Sequence, residues 1–140
     1  MPATRSVSKK MGVKKDSRAI FINAPDETVA ALQLPELNIS SRAAGDFDYI
    51  HLFTKTQKNL HQQFSKLKKH LSPTGMLWVS WPKAKQLRTD LDIKSVIKIG
   101  YDNGLVESKA LSINNTWSAL KFTHPKKGKV YNNSYGELSR

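Results

Sequence analysis

The chain has 140 residues, 39% of them hydrophobic, and a net charge of +12. That length suits one domain with a real core, and no internal repeat suggests more. Cysteine is absent, which excludes a disulfide framework, a thiolate metal site and a cysteine nucleophile. No apolar run approaches the roughly 18 residues of a membrane span. The segment Met1–Lys15 is basic but lacks the apolar stretch of a secretory signal. The expectation is a cytoplasmic protein with no membrane contact.

The charge is unevenly spread. Residues 1–18 carry six positive charges and one negative, and residues 124–140 carry four and one. These ends hold +5 and +3 of the total, leaving +4 for 19–123. Basic tails attract polyanions without sequence preference, and they also keep a protein soluble.

Residues 1–17 show no hydrophobic period and read as a disordered basic arm. Arg18–Asn23 (RAIFIN) is short, apolar and rich in Ile and Phe, as in a buried strand. Pro25, Asp26 and Glu27 then open a helix: proline suits the first turn and acids favour its positive end. That helix runs to about Leu34 and stops at Pro35. Leu37–Ser40 is a candidate short strand, and Ser41–Asp46 a polar loop.

Phe47–Phe53 (FDYIHLF) is almost continuously apolar, as expected of a strand covered on both faces. Thr56–Leu71 reads as a helix, because Leu60, Phe64, Leu67 and Leu71 form one stripe. Pro73–Gly75 is a turn and Met76–Trp81 a further buried strand. Thr89 or Asp90 caps the next helix, whose inner face holds Ile93, Val96, Ile97 and Gly100 and whose end is Asn103-Gly104. Leu105–Ile113 and Trp117–Phe122 are strands joined around Asn114-Asn115. Beyond Pro125 the chain is polar.

The fold expected is a three-layer α/β domain over 18–123. It has a mostly parallel sheet, a C-terminal antiparallel hairpin and a flexible basic tail at 124–140. The order resembles the Rossmann-like core of S-adenosylmethionine-dependent methyltransferases. Phe47-Asp48-Tyr49-Ile50 stands where that family has its fourth strand. Leu71-Ser72-Pro73-Thr74-Gly75-Met76-Leu77 resembles its entry to the fifth. The resemblance implies a cofactor loop after the first strand, yet Phe21–Glu27 has no glycine and Pro25 removes an amide donor. The acid that would hold ribose hydroxyls is not evident near Ser40-Ser41, and one strand–helix unit is missing. No cofactor is therefore expected. The Asn23-Ala24-Pro25 turn, Leu77–Lys83, Thr89-Asp90-Leu91 and Thr116–Phe122 also resemble a family of short bacterial proteins of unassigned function.

Between Asp48 and Asp90 no acidic residue occurs, while eight basic ones do. Lys55 follows FDYIHLF, and Lys83, Lys85 and Arg88 follow MLWVSW. In a parallel sheet both places lie on the carboxyl edge, where ligands bind. Trp81 ends its strand and would offer a ring for stacking beside those charges. The first expectation is thus a non-enzymatic binding module that meets nucleic acid or an acidic protein through Lys55, Trp81, Lys83, Lys85 and Arg88. The alternative is a degenerate methyltransferase-like protein that binds a small molecule or nucleotide at that edge, near Asn23. Either way the competing explanation is a core tryptophan among solvated lysines.

The histidines make no metal site: no pair has ligand spacing and no cysteine completes one. His51 and Asp48 point to opposite faces of their strand, so His51 reads as a buried structural histidine. Lys121 and Asp48 would either pair across the sheet end or line a pocket. Ser80 and Ser118 lack a nucleophile context.

Overall fold

The structure, a computed structural model, describes residues 6–126 and Tyr131. The elements are α1 (Val7–Met11), β1 (Arg18–Ile22), α2 (Asp26–Leu32), β2 (Asn38–Ile39), β3 (Phe47–Phe53) and α3 (Gln57–Leu67), followed by β4 (Leu71–Pro82), α4 (Ile93–Asp102), β5 (Val106–Ser112) and β6 (Trp117–Thr123). All six strands form one sheet in the order β2-β1-β3-β4-β6-β5. The β1–β2, β1–β3 and β3–β4 pairs are parallel, and β6 runs antiparallel to both β4 and β5. This is the expected mostly parallel sheet with an antiparallel C-terminal hairpin.

Alternation along the strands divides the core. On one face, Ile50, Leu52, Leu77 and Val79 pack against Leu60 and Phe64 of α3 and Val96 and Ile97 of α4. On the other, Ala19, Tyr49, Phe53, Trp78 and Trp117 pack with Met11 of α1 and Leu32 of α2. Helices on both faces make three layers. Full burial of a side chain such as Leu60 or Phe64 contributes about 1.5–3 kcal/mol.

Four expectations change. First, residues 6–17 are not a disordered arm. Ser6 caps α1 by accepting from the Lys9 amide, and Gly12 closes it at φ 85°. Met11 and Val13 are buried, and the Ser8 hydroxyl donates to the Gln33 carbonyl at 2.7 Å. Five helical residues are too few to show a period. Residues 1–5 lie outside the described residues, as does most of the expected tail, 127–130 and 132–140. Second, α2 ends at Leu32, because Gln33 takes a left-handed conformation at φ 53°. Third, β4 starts at Leu71 rather than Met76. Phe47 pairs with Leu71 but Tyr49 with Met76, so Ser72–Gly75 form an irregular loop-out within the strand pair. Fourth, Asp92 caps α4 through a capping box with Ser95. The Ser95 backbone N–H holds the Asp92 carboxyl below the usual carboxylate range. Thr89 and Asp90 are used elsewhere: the Thr89 hydroxyl donates to the Lys55 carbonyl, and the Asp90 carboxylate accepts from the Gln57 amide. The Trp81–Pro82 bond is trans.

Gly100 sets how closely α4 approaches the sheet. A Cβ there would stand 2.0 Å from the buried Phe122 ring.

Candidate functional site

β2 lies on one side of β1 and β3 on the other, so the chain reverses its direction of travel across the sheet between β1 and β3. Connections leave the carboxyl ends of these two strands in opposite directions and open a crevice there. A cleft of about 660 Å³ occupies this place, a volume in the range of small-molecule sites.

The walls of the cleft come from four places. The β1–α2 turn supplies Asn23, left-handed at φ 59°, and Thr28 stands one turn into α2. The β3–α3 turn supplies Thr54, Lys55 and Asn59. Here Thr56 caps α3 by accepting from the Asn59 amide at 3.1 Å, and the Thr54 hydroxyl donates to Asn59 Oδ1 at 2.7 Å. The β5–β6 turn brings Asn114 and Trp117, held because Asn114 Oδ1 accepts from the Thr116 and Trp117 amides. Leu87 closes the fourth side and is half exposed. Phe53 and Trp117 meet edge to face at 5.2 Å within this wall.

Thr28 is completely buried, and its hydroxyl has no hydrogen-bond partner. An unpaired buried hydroxyl costs on the order of 1–3 kcal/mol. The Thr28 hydroxyl lies just beneath the cleft surface, so a ligand atom would meet it once the wall shifts slightly. The ionisable residues lining the cleft are Glu27 and Lys55.

The structure divides the six sequence-expected residues. Asn23 and Lys55 line the cleft. Trp81, Lys83 and Lys85 line a separate groove of about 520 Å³ between α4 and the hairpin. Arg88 lines neither. Trp81 is 5% exposed and packs in the core beneath α4, so its ring offers no stacking face at a lip. The Lys83 ammonium donates to the Ser112 hydroxyl. The connecting segment is unusual: Ala84, Lys85, Leu87 and Arg88 all have positive φ, between 49° and 58°. Each such non-glycine residue costs about 1–3 kcal/mol. The segment is tied at its start by Lys83 N–H to the Thr116 carbonyl and at its middle by Gln86 Nε2 to the Asn115 carbonyl.

Sequence reasoning missed Thr28, Asn59, Asn114 and Trp117. Asn114-Asn115 was legible as a turn, but which strand ends that turn would face was not.

Three histidines, His51, His70 and His124, make hydrogen bonds within the fold. His51 Nδ1 meets the Tyr49 hydroxyl at 2.6 Å and Nε2 meets the Ser80 hydroxyl at 2.7 Å, all within the core. Burial lowers the His51 ring to about 3 and pushes the Tyr49 phenol up. His70 donates to the Gly45 carbonyl and His124 to the Leu71 carbonyl. Among the described residues no group of three or more His, Asp or Glu could hold a metal ion. No helix there is long and apolar enough to cross a membrane.

No sequence-family profile matches the chain, and no curated protein does. Solved structures do. A methyltransferase from Pyrococcus furiosus superposes with a TM-score of 0.58 at 12% identity, covering 83% of this chain and 79% of that one. A ribosomal protein L11 methylase from Lactobacillus delbrueckii subsp. bulgaricus gives 0.56 at 10% identity, over 85% and 75%. A TehB-like SAM-dependent methyltransferase from Corynebacterium glutamicum gives 0.54 at 8% identity, over 84% and 85%. The fold is methyltransferase-like and Rossmann-like.

That fold implies S-adenosylmethionine, and the residues present do not fit it in the mode of the fold. The turn after β1 carries Asn23, Ala24 and Pro25 in place of glycines. Pro25 is the N-cap of α2 and offers no amide. Asp26 and Glu27 hold the first turn with negative charge, where the cofactor's carboxylate would need the opposite. β2 is only Asn38–Ile39, with no acid at its end.

Proposed function

We propose that the protein is a degenerate methyltransferase-like module that binds a small polar molecule of nucleotide size in the cleft between the carboxyl ends of β1 and β3. The observation that carries this is the cleft itself: it lies at the reversal of strand order, and an unpartnered buried hydroxyl, Thr28, stands in its wall. Lys55 is an exposed cation suited to a phosphate or carboxylate. The Asn23 amide can both donate and accept, while Asn59 and Asn114, whose Oδ1 atoms are already engaged, offer their N–H groups. Phe53 and Trp117 give the apolar part. His51 is sealed in the core, so the acid–base groups within reach of a bound ligand are Glu27 and Lys55.

The test is a thermal-shift panel of common nucleotides and S-adenosylmethionine. A nucleotide at a hundredfold excess over its dissociation constant is expected to stabilise by about 2.7 kcal/mol, and S-adenosylmethionine is expected to leave the midpoint unchanged. A salt-resistant shift with S-adenosylmethionine would overturn the cofactor argument and reopen catalysis. Thr28→Val keeps the shape and deletes the hydroxyl. It is expected to weaken the bound nucleotide several-fold while leaving the ligand-free midpoint equal or higher, since an unpaired polar group is removed.

A polyanion reading of the same edge keeps one support, the acid-free run from Tyr49 to Thr89. Lys55, Lys83, Lys85 and Arg88 share no common opening, so contact would be through phosphates alone. Its test is oligonucleotide binding that weakens with salt and is lost in the double variant Lys83→Glu, Arg88→Glu.

A further inference from the structure

We propose that the amino edge of the sheet, opposite the cleft, carries a second site, for a phosphate group, built from Lys14, Lys121 and the hydroxyls of Ser17, Thr74 and Thr123. These residues line one polar cavity of about 360 Å³, and Asp48 stands at its wall.

The lysines are placed by parts of the fold that have nothing to do with solubility. Lys121 lies on β6 between the buried Leu120 and Phe122, on the sheet face that α1 and α2 cover. It is half-buried, and its direct cross-strand neighbour is Lys109 of β5. Like charges directly opposite each other in an antiparallel pair repel, and an anion between them would turn that repulsion into attraction. The Lys109 ammonium donates to the Lys10 carbonyl, which ties β5 to α1. Lys14 follows Val13, whose burial fixes the start of the approach to β1. The ammonium groups of Lys14 and Lys121 have no hydrogen-bond or ion-pair partner among the described residues. The backbone positions of both lysines are thus fixed by packing and strand pairing rather than carried on a loose arm, which lowers part of the cost of binding.

The opposing charge is partly engaged. Asp48 Oδ2 accepts from the Arg18 amide at 2.9 Å and does not pair with Lys121. Arg18 itself is committed elsewhere: its guanidinium donates to the Asp46 and Ala44 carbonyls and lies 4.1 Å over the Phe47 ring. Two free ammonium groups and three hydroxyl donors against one half-used carboxylate suit a compact oxyanion. Lysine binds phosphate as a point charge, with no need for a planar fork.

The experiment is calorimetric titration of the full chain with inorganic phosphate and, separately, with a short RNA. The variants are the double Lys14→Gln, Lys121→Gln and the single Asp48→Asn. Wild type is expected to bind at least one of the two saturably. The double variant is expected to lose about tenfold or more, with a ligand-free melting midpoint equal to or higher than wild type, since like-charge repulsion is relieved. Asp48→Asn keeps the acceptor for the Arg18 amide, deletes the opposing charge and is expected to tighten binding several-fold. RNA binding far tighter than inorganic phosphate would identify a phosphodiester as the source, and comparable affinities a free phosphate or phosphomonoester. No saturable binding of either by wild type would overturn the site. So would a double variant as tight as wild type, or an Asp48→Asn variant no tighter. Because the cleft residues are untouched, loss here with retained nucleotide binding in the cleft separates the two sites.

Discussion

Two residues show how local chemistry is set by the packing around it. His51 has polar partners on both ring nitrogens and the Phe53 ring stacked at 4.4 Å. Its surroundings satisfy a neutral imidazole and cannot hydrate a charged one, so the folded ring titrates at about 3 instead of 6.5. The unfolded chain takes up a proton below pH 6.5 that the folded one refuses. The stability is fully present above 6.5 and is lost as pH falls toward 3, at about 1.4 kcal/mol per pH unit. Urea midpoints between pH 6.5 and 5, above most carboxylate titration, are expected to fall with that slope. They should flatten by one proton's worth in His51→Gln, and an unchanged slope in that variant would count against the account. Gly100 is the second case. Alanine is the better helix former by about 1 kcal/mol, yet its Cβ would collide with a ring that has no room to move. Gly100→Ala is therefore expected to lower stability by about 1–3 kcal/mol net, read from denaturant unfolding.

At the scale of elements, legibility followed length and period. Phe47–Phe53 and the β5–β6 hairpin were readable because seven residues suffice for alternation or for an unbroken apolar run. α3 was readable because its stripe repeats over three turns. α1 was not: one anchoring methionine in five residues leaves no period, and its lysines dominate the composition. Its order comes from Ser6 and Gly12 at its ends and from Met11 beneath it. Met11→Ala is thus expected to cost about 2–5 kcal/mol in unfolding free energy, whereas a disordered arm would show no change. β4 hid its first turn of chain behind Ser72-Pro73-Thr74-Gly75, which reads as a turn and is in fact a loop-out absorbed by a register shift. The misplaced aromatic had a similar origin. Trp81, near the end of β4, and Trp117, at the start of β6, lie at the same edge of adjacent antiparallel strands, but Trp81 faces α4 and Trp117 faces the cleft. Alternation says that neighbours along one strand face opposite ways. It does not say which face of the sheet will be left open, because that depends on where the α2 start and the Asn114 turn come to rest.

The whole molecule carries +12, and two of its openings lie at opposite ends of the parallel strands. A net charge that large opposes compaction through self-repulsion, and the Debye length shortens from about 30 Å at 0.01 M salt to about 8 Å at 0.15 M. Sodium chloride over that range is expected to raise the melting midpoint by screening alone. Phosphate at matched ionic strength screens equally, but it would also occupy the Lys14–Lys121 site and add mass-action stabilisation. Its exclusion from the protein surface adds a further general term. The variants separate the three. Screening and exclusion act on wild type and on the Lys14→Gln, Lys121→Gln protein almost alike, since ten of the twelve net charges remain. Only the site disappears. The excess midpoint shift of phosphate over chloride is therefore expected to be larger in wild type than in the double variant. Equal excess in both would mean that the lysines of this edge repel one another and do nothing more.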